Sequence, residues 1–375
     1  MLVRSLFWAG LGSIVWTHAG YPAAAAALAR LCPRPVRKGE SLPTVSVIVA
    51  AHNEETVIAA RLENLLELDY PPELVEIVVA SDASDDGTDA IVEELARSER
   101  RVRLLPCPRG GKVNAQNLAA RRTTGEILAF SDANARWAPD ALRLLVRSFA
   151  DPDVAYVCGR LRLLEADGTN REGAYWRYET WLREQESALG SITGGNGSIY
   201  AVRRPDYVDV DPRFGHDLSF PYLMVQRGRR AVYEPEAHAF EKPSRDNEDE
   251  YRRKVRMFEH CWLILLEGRM LRDVDAVYLA ELVSHRVLRY GSGIAHAALL
   301  ASSLALAPRG RVYRAVLAAQ LAGLSLALAG RLRAPIPGAS LAYYYVLVTQ
   351  ATLSALRGYL RNGVPATWEQ AEGTR

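Results

Sequence analysis

Three short apolar runs that each end in a polar group constrain the fold more than any other feature of this chain. Ala129-Phe130-Ser131-Asp132-Ala133-Asn134 passes from buried-type residues to an acid and an amide. Ile48-Val49-Ala50-Ala51-His52-Asn53-Glu54-Glu55 and Val78-Val79-Ala80-Ser81-Asp82 end in the same way. Short apolar runs rich in β-branched residues read as buried strands. In an open α/β sheet, ligands bind outside the carboxyl ends of the strands. An acid-rich edge there suits a divalent cation, Mg²⁺ or Mn²⁺, carrying a diphosphate.

The intervening segments complete an alternating pattern. Strands are expected at 45–51, 75–80, 102–105, 127–130 and 154–163, with helices at 55–68, 88–98, 113–122, 139–149 and 174–189. Such an order predicts right-handed βαβ units and an α/β fold with a mostly parallel, Rossmann-like sheet.

The chain has 375 residues and a formal net charge of +2, which gives no global nucleic-acid signal. Cys32, Cys107, Cys158 and Cys261 lie too far apart for a metal-ligand spacing and read as reduced thiols of a cytosolic domain. Residues 6–29 are nearly uncharged, and Arg30, Arg34, Arg37 and Lys38 follow. A signal peptide competes with a retained anchor here. The length of the run, Pro22 within it and the basic residues after it favour the anchor, with the next domain on the cytoplasmic side. The apolar runs 291–307, 315–330 and 336–356 lack the polar stripe of a soluble bundle and read as membrane helices. The expected organisation is an anchor at 1–30, a linker at 31–43, a cytosolic domain at 44–262 and an amphipathic interfacial connection at 263–290. About three C-terminal transmembrane helices at 291–361 and a polar tail at 362–375 complete it.

Several side chains have both a structural and a chemical reading. Asp82, at a strand tip before the turn Asp85-Asp86-Gly87, can cap the next helix or accept from a base N–H or a ribose hydroxyl. Arg109-Gly110-Gly111-Lys112 is a plain turn or an anion site at a helix start, though it is not a Walker A loop. Asp132 and Asn134, at i and i+2 of an extended strand end, would point the same way and offer hard oxygen ligands. Asp217, after His216, is an N-cap or a general base. The basic clusters 227–230 and 252–256 are solvated faces, contacts with anionic lipid, or a cradle for a departing diphosphate.

The order of these motifs resembles the family 2 inverting glycosyltransferases with the GT-A fold, and in particular a membrane-bound bacterial branch that includes polysaccharide synthases. The resemblance is carried by His52-Asn53-Glu54-Glu55, Ser81 through Thr88, Gly111 through Asn117, Ser131-Asp132-Ala133-Asn134, Gly194 through Ala201 and His216-Asp217. It implies that Glu54 and Asp82 hold the uracil and ribose of a UDP-sugar and that Lys112 lies by the nucleotide. Asp132, with Asn134, would carry Mg²⁺ or Mn²⁺. Gly195, Asn196, Gly197 and His216 would lie near the sugar and acceptor, and Asp217 would be the catalytic base. Arg253 and Arg256 would cover the diphosphate. The implied partners are a nucleotide-sugar donor, a lipid-linked or growing glycan acceptor and membrane lipid, with no nucleic acid. The implied setting is the bacterial inner (cytoplasmic) membrane, as a multi-pass protein of cell-envelope or exopolysaccharide synthesis. Asn134 and His216 stand where the family pattern has acids, and Arg253 and Met257 replace the Gln and Trp of processive synthases, so low processivity is expected. A processive polysaccharide synthase, a sugar nucleotidyltransferase and a non-catalytic membrane scaffold are the competing readings.

Overall fold

The computed structural model describes residues 1–163, 173–243 and 247–366, so most of the expected polar tail lies outside the described residues. The chain divides into two compact units. One holds the described residues between 27 and 243, with 267–278; the other is helical and holds 1–26, 247–266 and 279–364.

The first unit is built on an eight-stranded sheet. Its strands are β1 (Val45–Ala51), β2 (Val75–Asp82), β3 (Val102–Cys107), β4 (Ile127–Asp132), β5 (Arg136–Trp137), β6 (Val154–Leu163), β7 (Tyr200–Arg203) and β8 (Arg230–Glu241). They lie in the order β3-β2-β1-β4-β7-β6-β8-β5. The first four are mutually parallel, whereas β7 runs antiparallel to both β4 and β6. Register levels the functional ends: Ala50 pairs with Asp132 and Ala51 with Ser81. The polar tips of β1, β2 and β4 therefore share one edge of the sheet.

Every residue of β1 is buried, as expected of a strand covered on both faces. Val47, Val49, Ile77 and Val79 pack against Ile58, Leu62, Leu65 and Leu142 on one side. Ile48, Ala50, Val78 and Phe130 meet Ala115, Ala119, Tyr200 and Phe220 on the other. The helix expected at 55–68 is shorter, Ile58–Leu66, because the Glu54 carbonyl accepts from the amides of Val57 and Ile58 and turns the chain first. Strands β5, β7 and β8 were not anticipated. β8 carries Pro235 and four ionisable residues after Tyr233, which mask a strand pattern.

The helical unit contains Leu2–Val15, a π-helical turn at Trp16–Gly20, Asn247–Glu267, Ser292–Leu306, Arg311–Arg331 and Ala339–Asn362. Inside it, the Trp262 indole donates to the Thr352 carbonyl at 3.0 Å, and the Tyr345 hydroxyl lies 3.0 Å from His18 Nε2 and 2.7 Å from His296 Nε2. It exposes large apolar side chains, among them Leu2, Trp8, Leu304, Val312, Leu321, Leu324 and Leu328. Among the described residues one helix, Arg311–Arg331, is long and apolar enough to cross a membrane. A second span exists if Ala276–Tyr290 and Ser292–Arg309, bent by 63°, count as one. The expectation of four spans is therefore not reproduced. The π-turn splits the run 6–29 between helices of 14 and 11 residues. Ala339–Asn362 is long enough but carries three consecutive tyrosines, Gln350, Arg357 and Arg361.

Candidate active site

The tips of β1 and β2 are tied together by side chains. After β1 the backbone turns left-handed at Asn53 (φ 57°), and after β2 it does so at Ala83 (φ 55°), a conformation uncommon for non-glycine residues. The Asn53 carboxamide donates to Asp85 at 2.6 Å and accepts from the Asp85 amide at 2.9 Å. The Glu54 amide donates to Thr88 Oγ1 at 2.7 Å, and its carboxylate is buried beneath the turn. Asp82, also buried, accepts from the amides of Gly110 (2.7 Å) and Gly111 (3.0 Å) and from the Arg109 guanidinium. Gly111 adopts φ 89°, which suits glycine and lets the chain enter the helix Lys112–Arg122 directly. Asp82 thus shapes the glycine loop that presents Lys112.

Lys112 reaches across to β4 and donates to Asp132 Oδ1. Burial disfavours its charge, but Asp132, Asp217 and Glu241 together hold the ammonium above its usual pKa. Asp217, on the helix His216–Gln226, and Glu241, at the end of β8, thus add to Asp132 in favouring the ammonium. A Cβ on Gly197 would stand 3.1 Å from Lys112 Nζ and 3.4 Å from Asp132 Oδ2, so the missing side chain leaves room for this pair. The Gly195 amide donates to the Asp217 carbonyl at 2.7 Å, which brings the 194–197 loop to the base of that helix.

Two expectations need correction. Asp217 is not the N-cap: Gly215 is, and Asp217 is the second residue of the helix. There its carboxylate gains from the positive end of the helix dipole. Asp132 and Asn134 do not lie on one extended strand. β4 ends at Asp132, and the Ala135 amide returns to the Asp132 carbonyl at 3.3 Å, so Asn134 sits in a turn. Asn196 donates to the Gly159 carbonyl at 2.7 Å and to Cys158 Sγ at 3.2 Å and accepts from the amides of Ser198 and Ile199, both at 3.1 Å. Arg253 and Arg256 lie on Asn247–Glu267 in the helical unit, where Arg253 pairs with Glu250 at 3.0 Å.

His216 is buried, with Nδ1 2.8 Å from the Tyr200 hydroxyl and Nε2 without a hydrogen-bond partner among the described residues. Burial, reinforced by the nearby Lys112, pushes its pKa down to about 3. It is a neutral side chain at working pH and cannot replace an acid. The folded unit excludes a proton that the unfolded chain takes up below about pH 6.5. Stability should therefore be fully present above that pH and fall below it, by up to about 1.4 kcal/mol per pH unit. Denaturant unfolding between pH 4 and 7, with His216→Gln for comparison, checks this. A wild-type slope no steeper than the variant's would refute it.

Two charged residues of the site went unnoticed in the sequence. Arg61 is buried beneath Asp132; it donates to Ser131 Oγ at 2.7 Å and Asn64 Oδ1 at 2.5 Å and lies 5.0 Å from the Trp137 ring centroid. Burial pushes its pKa down to about 9 against the pull of Asp132 and Glu241. Its signal was an arginine within the apolar stripe Ile58, Leu62 and Leu65. Glu241 closes β8 and accepts from the Ser198 hydroxyl. With β8 unassigned, nothing in the sequence marked it.

Residues 46–210 match the family described as Glycosyl transferase family 2. A beta-monoglucosyldiacylglycerol synthase of Trichormus variabilis is 36% identical over 208 residues, covering 53% of this chain and 43% of that protein. An N-acetylglucosaminyltransferase of Rhizobium meliloti is 29% identical over 220 residues, 52% of this chain and 50% of that one. The chain spans half or less of the length of these curated relatives. Among solved structures, a mannosyltransferase from Pyrobaculum calidifontis in complex with GDP-Man and Mn²⁺ superposes with a TM-score of 0.73 at 25% identity, covering 96% of this chain and 98% of the other. That likeness identifies the sheet as a GT-A glycosyltransferase fold.

Proposed function

We propose that this chain, which carries a glycosyl transferase family 2 domain over residues 46–210, moves a sugar from a nucleotide-diphosphate sugar to a lipid-linked or glycan acceptor with inversion at the anomeric carbon. The observation that carries the reading is the sheet edge at which Lys112 donates to Asp132, with Gly197 against that pair and Gly195 of the same loop bonded to the helix start that holds Asp217. Asp217 removes the proton of the acceptor hydroxyl. The acceptor oxygen attacks the anomeric carbon as its bond to the diphosphate breaks, and Lys112 meets the charge released on the leaving group. Glu54 and Asp82, at the tips of β1 and β2, are assigned to the base and ribose of the donor.

A divalent cation fits this edge in kind. Asp132 and Asn134 would hold it through hard oxygens, and the described residues contain no cluster of three or more His, Cys, Asp or Glu that could do so alone. The donor's own diphosphate oxygens would complete the site. When bound, such an ion neutralises diphosphate charge.

The exposed apolar side chains of the helical unit support attachment to a bilayer, as does the name of the Trichormus relative, which makes a glycolipid. Extraction of washed membranes with alkaline carbonate should leave the protein in the pellet. Recovery in the supernatant would remove the membrane from this account. Addition of one or a few sugars fits better than long-chain synthesis: Met257 offers no flat face, and Trp262 is buried with its indole bonded to Thr352. The reading is tested by incubating purified protein in detergent with UDP- and GDP-sugars and a lipid extract. Acceptor-dependent release of one nucleoside diphosphate and short products are expected. No release from any donor would refute it.

A further inference from the structure

The position that a cation would take at Asp132 is held by a side chain of the protein itself. We propose that Lys112 gates metal entry, so that a divalent cation reaches Asp132 only when a nucleoside diphosphate draws the ammonium away. This rests on the glycosyltransferase reading for its ligand, and it concerns the order in which the parts of that site fill. Three observations support it. Lys112 Nζ donates to Asp132 Oδ1. The gap beside Gly197 accommodates the ammonium: a Cβ at that residue would lie 3.1 Å from it, tighter than an ordinary contact. Asn134, whose amide is neutral, sits in the turn after β4, and the described residues hold no cluster of three or more His, Cys, Asp or Glu, so a metal alone finds few charged ligands and must displace a cation already paired with Asp132.

Lys112 is also placed to move. It is the first residue of its helix, preceded by Gly111 at φ 89°, and its ammonium rides on a flexible four-carbon stem. A diphosphate at that helix start gives the ammonium a new anionic partner and supplies oxygens to the metal at the same time. Metal and nucleotide then bind cooperatively, and by linkage each raises the affinity of the other by the same factor. Lys112 acts here on the metal through Asp132, as a positioning residue with respect to the ion.

The test is Mn²⁺ titration followed by electron paramagnetic resonance, on the full chain in detergent, alone and with UDP or GDP. Wild type should bind Mn²⁺ weakly alone and about tenfold or more tightly with the nucleotide it accepts. Lys112→Met should bind Mn²⁺ alone about tenfold more tightly than wild type does, with little further gain from nucleotide. Lys112→Arg, which keeps the charge, should behave as wild type, and Asp132→Asn should lose Mn²⁺ in every arm. Wild-type binding of equal strength with and without either nucleotide would overturn the gate while leaving the glycosyltransferase reading intact, and it does so even if the Met variant fails to fold. Lys112→Met matching wild type in the absence of nucleotide would also overturn it. No Mn²⁺ binding in any arm would remove the metal from Asp132 and the gate with it.

Discussion

Asp217→Asn lowers turnover by roughly 10²-fold or more while donor binding persists. The asparagine is nearly isosteric, and the Asp217 carbonyl still accepts from the Gly195 amide, so the loop and the helix start keep their places. What is lost is an acceptor for the proton of the attacking hydroxyl. In rate terms, 10²-fold corresponds to about 2.7 kcal/mol of barrier. Steady-state kinetics of nucleoside diphosphate release, beside equilibrium binding of the nucleotide, separates the two effects. Turnover within a few-fold of wild type would remove Asp217 from this role.

Asp132→Ala is expected to reduce turnover at least as far, by roughly 10²–10³-fold, because it removes the carboxylate at the centre of the edge. The same change should cost little in folding. The Lys112–Asp132 pair is partly exposed, and pairs of that kind contribute about 0–1 kcal/mol. The charges of Asp217 and Glu241 still favour the Lys112 ammonium. A large loss of activity with a nearly unchanged unfolding midpoint is therefore the expected combination. Retained activity in Asp132→Ala, or in wild type treated with EDTA, would contradict the assignment of a cation to this residue.

The parts of this protein that could be read from its residues are those in which local pattern and global fold agree. The runs ending at Ala51, Asp82 and Asp132 carry β-branched and small apolar residues throughout, because parallel strands covered on both faces need nothing else, and their polar tips stood out by contrast. Helices 88–98 and 174–189 were expected at the bounds they occupy. Reading failed where long-range pairing overrides local pattern. β8 is a strand because β6 lies beside it, despite Pro235 and its charged neighbours, and so Glu241 was invisible as a site residue. Asp132 and Asn134 suggested an extended pair only while the end of β4 was unknown. The four apolar runs were read by composition alone, and composition does not report a π-turn at Trp16–Gly20 or three tyrosines in a row.

The central claim is a single displacement in which Asp217 activates the acceptor at the edge holding Lys112 and Asp132. It is tested most directly by the anomeric configuration of the transferred sugar, read by NMR on product made with the donor the enzyme accepts. Inversion relative to the donor, formed by wild type and lost in Asp217→Asn, is the predicted result. Retention of configuration, or undiminished product from Asp217→Asn, would contradict it.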